Sequence, residues 1–371
     1  MANLIKSSQQ DVHVYSTEVL HEYIRRSSFE PYMSSKGGII NMKNELNGSA
    51  GSVINMPVIS QLRGNVFRGD AVMVGNEDAQ TIYNMRVYTD VVRTSETVKL
   101  TDKFKVQLDL AAEAKTAVTN RLAKALRTDI VTALQSVPVP GNGTGTLPAD
   151  DYVAYGSASP AQQNAWLAAN SDRVLYGALN SNNTGVHATS IANINGDTTK
   201  LNANKLSGAV VSLARAKARK TETSNTFAIN PYQTKNGSEW FVMFVDANGY
   251  RDLKKDQLVY AANKDARPRE TDIEKNPIFS GTNVLYYDGV MIVECPELPT
   301  VATGVGYAHL CGVQAVNIGW SQKIKTSFRK EDDYEMTGGI GVTEIRGQAK
   351  GSVALTQVGM VSVFHTSQDD A

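Results

Sequence analysis

An excess of charge of either sign is missing from this sequence. Its 371 residues carry 37 lysines and arginines against 37 aspartates and glutamates. Proteins whose main ligand is nucleic acid are usually strongly basic, because they neutralise phosphates. Gripping nucleic acid is therefore disfavoured as the main task, although local basic clusters can still touch it. Cysteine is scarce, with only Cys295 and Cys311. Two thiols without C-x-x-C or zinc spacing exclude a disulfide framework and fit a reducing cytosol. Cys295 closes an apolar strand and reads as a buried, inert thiol. Long apolar runs are absent too. None approaches the ~20 residues of a membrane helix, and the opening MANLIKSSQQDVHVY has no apolar signal-peptide core.

Catalytic motifs are equally scarce. The dipeptide Gly-Lys never occurs, which excludes a P-loop. Gly304 and Gly306, and the cluster Gly338, Gly339 and Gly341, miss the dinucleotide spacing. His21-Glu22 opens like a zinc-protease motif, but Arg25 stands where the second ligand belongs. His13, His187, His309 and His365 are scattered, and no Ser elbow exists. Cys311 follows His309 without a third group to orient them. No catalytic residue, cofactor or metal is assigned, and the chain does not read as an enzyme. Glu331, Asp332 and Asp333 follow Arg329 and Lys330; they read as a solvated turn or an intersubunit ion pair. Arg215, Lys217, Arg219 and Lys220 form a basic helix end that suits the C-terminal dipole, with nucleic-acid contact as the alternative use. Trp166, Trp240 and Trp320 are too far apart for a stacking platform and read as core.

What the chain does have is an arm. Leu62–Glu77 reads LRGNVFRGDAVMVGNE, with Gly64, Gly69 and Gly75 as joints. Ser52–Ile59 leads in and Asn84–Lys99 leads out. In the second run Met85, Val87, Thr89 and Val91 share one parity while Arg86, Tyr88 and Asp90 take the other, the pattern of a half-buried strand. Pro57 points to an edge position. A lone hairpin is marginal in water, and no nearby segment looks able to cover it, so a neighbouring subunit is expected to do so. Before the arm, Thr17–Arg26 forms one short amphipathic helix. After it, Thr101–Val137 repeats apolar residues at helical steps, a spine roughly 50 Å long ended by Pro138 and Pro140.

Further on, Pro138–Gly156 reads as a loop and Asn180–Lys200 as a long surface loop or a small β-excursion. Ser159–Asn170 and Asn202–Lys220 read as helices, and Asp172–Leu179, Thr226–Ile229 and Trp240–Asp246 as strands. Asn283–Tyr287 and Val290–Glu294 form a hairpin across Asp288-Gly289. The late strands Gly312–Trp320, Lys323–Arg329, Ile340–Arg346 and Ser352–Phe364, with a charged turn at Lys330–Glu335, are expected alongside the long helix. The fold class is α+β. The segments are an arm (1–51), a hairpin (52–92), the first part of a helix-and-strand domain (93–140), an α+β lobe (141–316) and returning strands (317–371).

Three stretches carry a resemblance: Leu62–Glu77 with the strand and helix after it, NPIFSGTNVLYYDGVMIVE (Asn276–Glu294), and GVQAVNIGW…DYEMTGGIGVTEIRGQAKG (Gly312–Gly351). In these and in its order of parts the chain resembles the major capsid proteins of tailed bacteriophages with the Hong Kong 97 fold, and within them the coat-protein family named after coliphage N-four. The resemblance implies an N-terminal arm, an extended E-loop, a discontinuous peripheral domain around the spine helix, and an axial domain. It implies self-assembly as hexamers and pentamers into an icosahedral shell around double-stranded DNA, in a virion built in the host bacterial cytoplasm. Scaffold and portal proteins are implied partners, and a decoration protein is a further one.

The E-loop would lie over the adjacent subunit. Arg63, Phe67, Arg68, Asp70, Glu77, Arg329, Glu331, Asp332 and Asp333 are then candidate intersubunit contacts, and Arg215, Lys217, Arg219 and Lys220 candidates for facing DNA. Two other readings stand beside this one: a cellular nanocompartment shell of the same fold, and a soluble α+β enzyme with an unrecognised site.

Overall fold

The computed structural model describes residues 29–43, 53–59, 62, 66–70, 73–75, 77, 80–99, 110–139, 152–195, 203–221, 227–233, 237–265, 284–302, 304–332 and 337–367. The expected helix Thr17–Arg26 and most of the loop after Pro138 lie outside them. In chain order the strands are β1 (Met33–Ser34), β2 (Ile40–Lys43), β3 (Val53–Ile59), β4 (Ile82–Tyr88), β5 (Asp90–Lys99), β6 (Ser136–Pro138), β7 (Tyr152–Ala154), β8 (Val174–Tyr176) and β9 (Tyr232–Gln233). They continue with β10 (Glu239–Val245), β11 (Val284–Tyr287), β12 (Val290–Glu294), β13 (Val305–Cys311), β14 (Val316–Asp332), β15 (Thr337–Lys350), β16 (Ser352–Val353), β17 (Thr356–Gln357) and β18 (Met360–Thr366). Helices cover Leu110–Leu134, Pro160–Ala169, His187–Asn195, Gly208–Lys220, Ala247–Lys255 and Gln257–Asp265.

The main sheet has the order β11-β12-β10-β13-β18-β8, with β9 added to β10. Every residue of β13 and β18 is buried, as expected of strands covered on both faces. On one face Ala308, Leu310, Val361 and Val363 meet Val210, Val211, Ala214 and Ala218 of the helix Gly208–Lys220. Those four fall on one stripe of a 3.6-residue period. On the other face Tyr307, Phe364 and Tyr176 pack against Trp166, Leu167 and Ile194. Farther along that face Phe244, Cys311 and Met360 pack against Phe29, Ile40, Ile130 and Leu134. The helix carrying Trp166 starts where its sequence says it should: Ser159 and Gln162 form a capping box, and Pro160 opens the first turn.

The chain divides into two compact units. The larger comprises Ser28–Asp90, Leu126–Lys323 and Ile345–Ala371. It holds the main sheet, and in it the start of β14 runs parallel to β2, Val316 beside Ile40. The smaller comprises Met1–Ser27, Val91–Ala125 and Ile324–Glu344. In it Val118 and Leu122 of the long helix are buried with Val342, and Val92 packs against them.

Several expectations are met. The apolar run Trp240–Asp246 is an inner strand, and Asp288-Gly289 turns the β11–β12 hairpin with φ of 45° and 67°. Others need correction. The late strands do not all accompany the long helix. Met360–Thr366 is instead an inner strand of the main sheet, pairing with β13 from Cys311↔Met360 to Val305↔Thr366 and with β8 on its other side; its seven buried residues demand cover on both faces.

Asn180–Lys200 is not all loop. His187–Asn195 is a helix that buries His187, Ser190 and Ile194. Its polar residues are bonded internally, Ser190 Oγ donating to the Val186 carbonyl at 2.8 Å, so a polar composition concealed a packed element. Residues 227–229 are not a strand; the Ile229 amide donates to Thr221 Oγ1 at 2.9 Å instead of to a sheet. The long helix ends at Leu134, before the prolines, because Ser136–Pro138 pairs with Tyr152–Ala154. Both cysteines are buried, and burial pushes both thiols up. Among the described residues no helix is long and apolar enough to cross a membrane.

Candidate functional site

The arm is built from β3 and β4, antiparallel from Val53↔Tyr88 to Ile59↔Ile82. Pro57 is tolerated because this ribbon has two strands, leaving one side of each free of ladder bonds. Period-two alternation puts Ile54 and Met56 on the same face as their cross-strand partners Val87 and Met85. All four are buried, together with Ala349, Val353 and Val358. Burying side chains of this size stabilises by about 1.5–3 kcal/mol each.

Beneath them lie Asn41 and Asn317, neighbours in the β2–β14 register. Their amide groups donate to the thioethers of Met56 and Met85, each at 3.8 Å. Two glycines allow this close seating. A Cβ on Gly347 would stand 1.7 Å from the Tyr88 carbonyl oxygen, and one on Gly319 would stand 2.4 Å from Ile54 Cδ1. The expectation that a neighbouring subunit covers the arm is therefore corrected for its base. The cover comes from strands more than two hundred residues later, out of reach of local reading.

The tip is different. Leu62, Val66, Met73 and Val74 are exposed, Val66 by 84 % and Val74 by 81 %. Phe67, Arg68, Asp70 and Glu77 are exposed as well. Gly69 and Gly75 have φ of 66° and 84°, which only glycine adopts at little cost. The Gly75 amide donates to Glu77 Oε2 at 2.9 Å, a local turn bond. Arg63 and Gly64 lie outside the described residues.

The other sequence candidates are dispersed. Arg329, Glu331 and Asp332 continue β14, so the charged stretch begins as strand rather than turn; β15, its hairpin partner, resumes at Thr337. Asp333 lies outside the described residues. At the basic helix end Arg215 pairs with Asp288 and Arg219 with Glu239. Lys217 donates to the Ser171 carbonyl at 3.3 Å, and Lys220 closes the helix in an exposed position. Arg215 and Arg219 are thus matched by carboxylates within the chain.

Sequence reading missed the buried polar groups of the main sheet. Asp246, His365 and Ser367 meet there with the composition of a catalytic triad but not its wiring. Ser367 Oγ donates to Asp246 Oδ2 at 2.6 Å rather than to the imidazole. His365 Nε2 lies 3.0 Å from Asp246 Oδ1, and Nδ1 lies 3.0 Å from the Thr366 carbonyl. Neither ring nitrogen is left to activate a hydroxyl. Gly249 and Gly306 close on the ring so tightly that a Cβ at either would stand within 2.7 Å of it, so no substrate fits.

The group is structural. Asp246 caps the helix Ala247–Lys255 through the Gly249 amide. Burial alone would raise the Asp246 carboxyl and lower the His365 imidazole, but their mutual contact, together with bonds from Ser367 and the Gly249 amide to Asp246 and the Thr366 carbonyl and Asp252 beside His365, outweighs it, so the carboxyl is lowered and the imidazole raised. Lys350 is also fully buried; burial pushes it down to about 7, and its ammonium donates to the Ser136 carbonyl at 3.1 Å. No chemistry beyond packing and contact emerges from these groups.

Comparison with known proteins agrees. A family model described as phage capsid protein matches residues 3–368. The capsid asymmetric unit of cyanophage Pam1 is similar over 100% of both chains, with 30% identity and a TM-score of 0.84. The capsid of Ralstonia phage GP4 is similar in fold over 100% of both chains, with 16% identity and a TM-score of 0.70. The acid-stable capsid of Helicobacter pylori bacteriophage KHP30 is similar in fold over 97% of this chain and 96% of that one, with 12% identity and a TM-score of 0.65. No curated protein matches. The role is structural and not enzymatic, its place is the virion, and copies of the chain assemble with one another. A tip whose described apolar residues stay exposed, on a buried base, suits such a role, and the chain belongs to the phage capsid protein family, as the major capsid protein of a tailed phage.

Proposed function

We propose that this capsid protein forms hexamers and pentamers, and that its β3–β4 arm is the E-loop, laid over the adjacent subunit of an icosahedral shell around double-stranded DNA. One observation carries the reading: a base buried in its own chain and a tip that presents Val66, Met73 and Val74 to solvent. Exposed apolar clusters of this kind mark interaction surfaces. The remaining parts follow the Hong Kong 97 plan: an N-terminal arm before the E-loop, a peripheral domain around the long helix and the β14–β15 hairpin, and an axial lobe around the main sheet, to which Met360–Thr366 is now assigned.

Within the family we place the chain with the N-four type. Arg63, Phe67, Arg68, Asp70 and Glu77 at the tip, and Arg329, Glu331, Asp332 and Asp333 beyond it, are the proposed intersubunit contacts. Packaged DNA receives non-specific contact, with Arg215, Lys217, Arg219 and Lys220 as candidates. Scaffold and portal proteins, and a decoration protein, are the further proposed partners.

Purification followed by negative-stain microscopy tests the reading. Shells are expected from the full chain. Deleting residues 64–75 is expected to abolish them while circular dichroism and thermal melting show the main sheet still folded. Normal shells from the deletion variant refute the assignment of the tip.

A further inference from the structure

Each copy carries an apolar hole as well as an apolar knob. Tyr32, Ile39, Tyr232, Trp240, Tyr286 and Met291 line a pocket of about 280 Å³, and among the described residues no charged side chain lines it. The walls are held in place. Tyr32 Oη donates to Met291 Sδ at 3.1 Å, and Trp240 meets Tyr286 edge to face with ring centroids 6.3 Å apart. Tyr232 and Tyr286 nevertheless remain exposed at the mouth. The volume exceeds the roughly 150 Å³ of an apolar cavity that takes up benzene, so one aromatic side chain fits with room for a small neighbour.

We propose that this pocket is the seat of the arm tip of a second copy, with Phe67 as the inserted ring and Val66 packed at its rim. The inference rests on the arm reading above and adds where the tip lands. Three arguments favour this occupant. The hole is uncharged and aromatic, and Phe67 gains edge-to-face contacts there and a thioether contact with Met291. Arg68 and Asp70, the next charges in the chain, follow Phe67 and can stay at the wet rim, as charged residues do in interfaces. Finally, knob and hole are different surfaces of one chain, so their contact is head to tail. Head-to-tail contacts close into rings when the rotation allows, which is what hexamers and pentamers require.

The test uses assembled shells of the full chain with a benzophenone photo-cross-linking amino acid in place of Phe67, built from an equal mixture of ¹⁴N- and ¹⁵N-labelled protein. Mass spectrometry then reads which peptides are joined and whether they come from different copies. Mixed-isotope cross-links to peptides containing Tyr232, Trp240, Tyr286 or Met291 are expected. Mixed-isotope cross-links elsewhere overturn the pocket and leave the arm reading intact. Cross-links within one copy only overturn both. A probe that reacts only with solvent in intact shells also overturns the proposal, as does capture by the pocket of any segment other than the tip when the probe replaces Tyr286.

A charge pair gives an independent readout. Phe67→Glu and Tyr286→Lys should each lower shell yield by about tenfold, the change expected for ~1.4 kcal/mol, and the double variant should recover most of it. A double variant no better than the singles refutes the contact.

Discussion

Two regions of this molecule invert the usual rule in opposite directions. The interior of the larger unit keeps polar groups inside: Asp246, His365 and Ser367 at the main sheet and Lys350 at the end of β15 are all buried. The arm tip keeps apolar groups outside: Val66, Met73 and Val74 face solvent. The first inversion is matched within the chain, through ion pairing, capping and a carbonyl contact. The second finds no match among the described residues, and a neighbouring copy is the cover proposed above. If the tip is the intersubunit contact proposed above, substitutions should separate folding, which the buried interior governs, from assembly, which the tip governs.

The largest effect is expected at the buried pair. Asp246→Ala strands the His365 imidazole and uncaps the helix Ala247–Lys255. A loss of about 3–5 kcal/mol is expected, the cost of breaking a buried charge pair, read by chemical denaturation of unassembled chain. The pair also fixes a pH window. The Asp246 carboxyl is depressed, so its contribution disappears as pH falls; the His365 imidazole is raised, so its contribution disappears as pH rises through its folded-state pKa. Stability unchanged by Asp246→Ala would show that the polar interior is ornamental.

At the arm base Met85→Ala should cost about 2–5 kcal/mol, as deletions in packed cores do. If it costs nothing, the base is not seated and the contrast between base and tip collapses. Gly347→Ala probes the same seat, because its Cβ would collide with the Tyr88 carbonyl; a loss of about 1–3 kcal/mol is expected from overpacking.

Lys350 offers a finer measurement. Its folded-state pKa is about 7, against about 10.4 for an exposed lysine. Between these values the unfolded chain holds a proton that the folded chain has released, so stability should rise with pH, by on the order of 1 kcal/mol per unit. Lys350→Met should remove that slope and raise stability at pH 7. Parallel denaturation profiles for the two proteins from pH 7 to 9 would contradict it. The smallest effect on folding belongs to the tip. Val66→Ser should stay within about 0.5 kcal/mol of the parent in denaturation, yet reduce shell yield.

Much of this could be read in advance, and the parts that could not share a cause. Local patterns were reliable. The apolar run Trp240–Asp246, the Asp288-Gly289 turn and the glycine-jointed tip each encode their conformation in adjacent residues. Long-range partners were hidden. Nothing near Met56 or Met85 in sequence announces that Asn41 and Asn317 will donate to their sulfurs, or that Gly347 leaves room for Tyr88. The helix His187–Asn195 looked like loop because its polar residues are bonded inward. The exposed, glycine-turned character of the tip was legible in its own residues, whereas the seating of the base became legible only once β14 and β15 were in place.

One consequence of the main sheet concerns synthesis. β18 lies between β13 and β8, and among the described strands it comes last in sequence. Until residue 366 has emerged, β13 and β8 face each other across a gap, each with an open edge. A polypeptide that stops anywhere short of Met360 leaves that gap open and lacks Val361, Val363 and Phe364, which the core needs on its two faces. Closure of the core thus waits on residues 360–366, far along the chain from the strands they join.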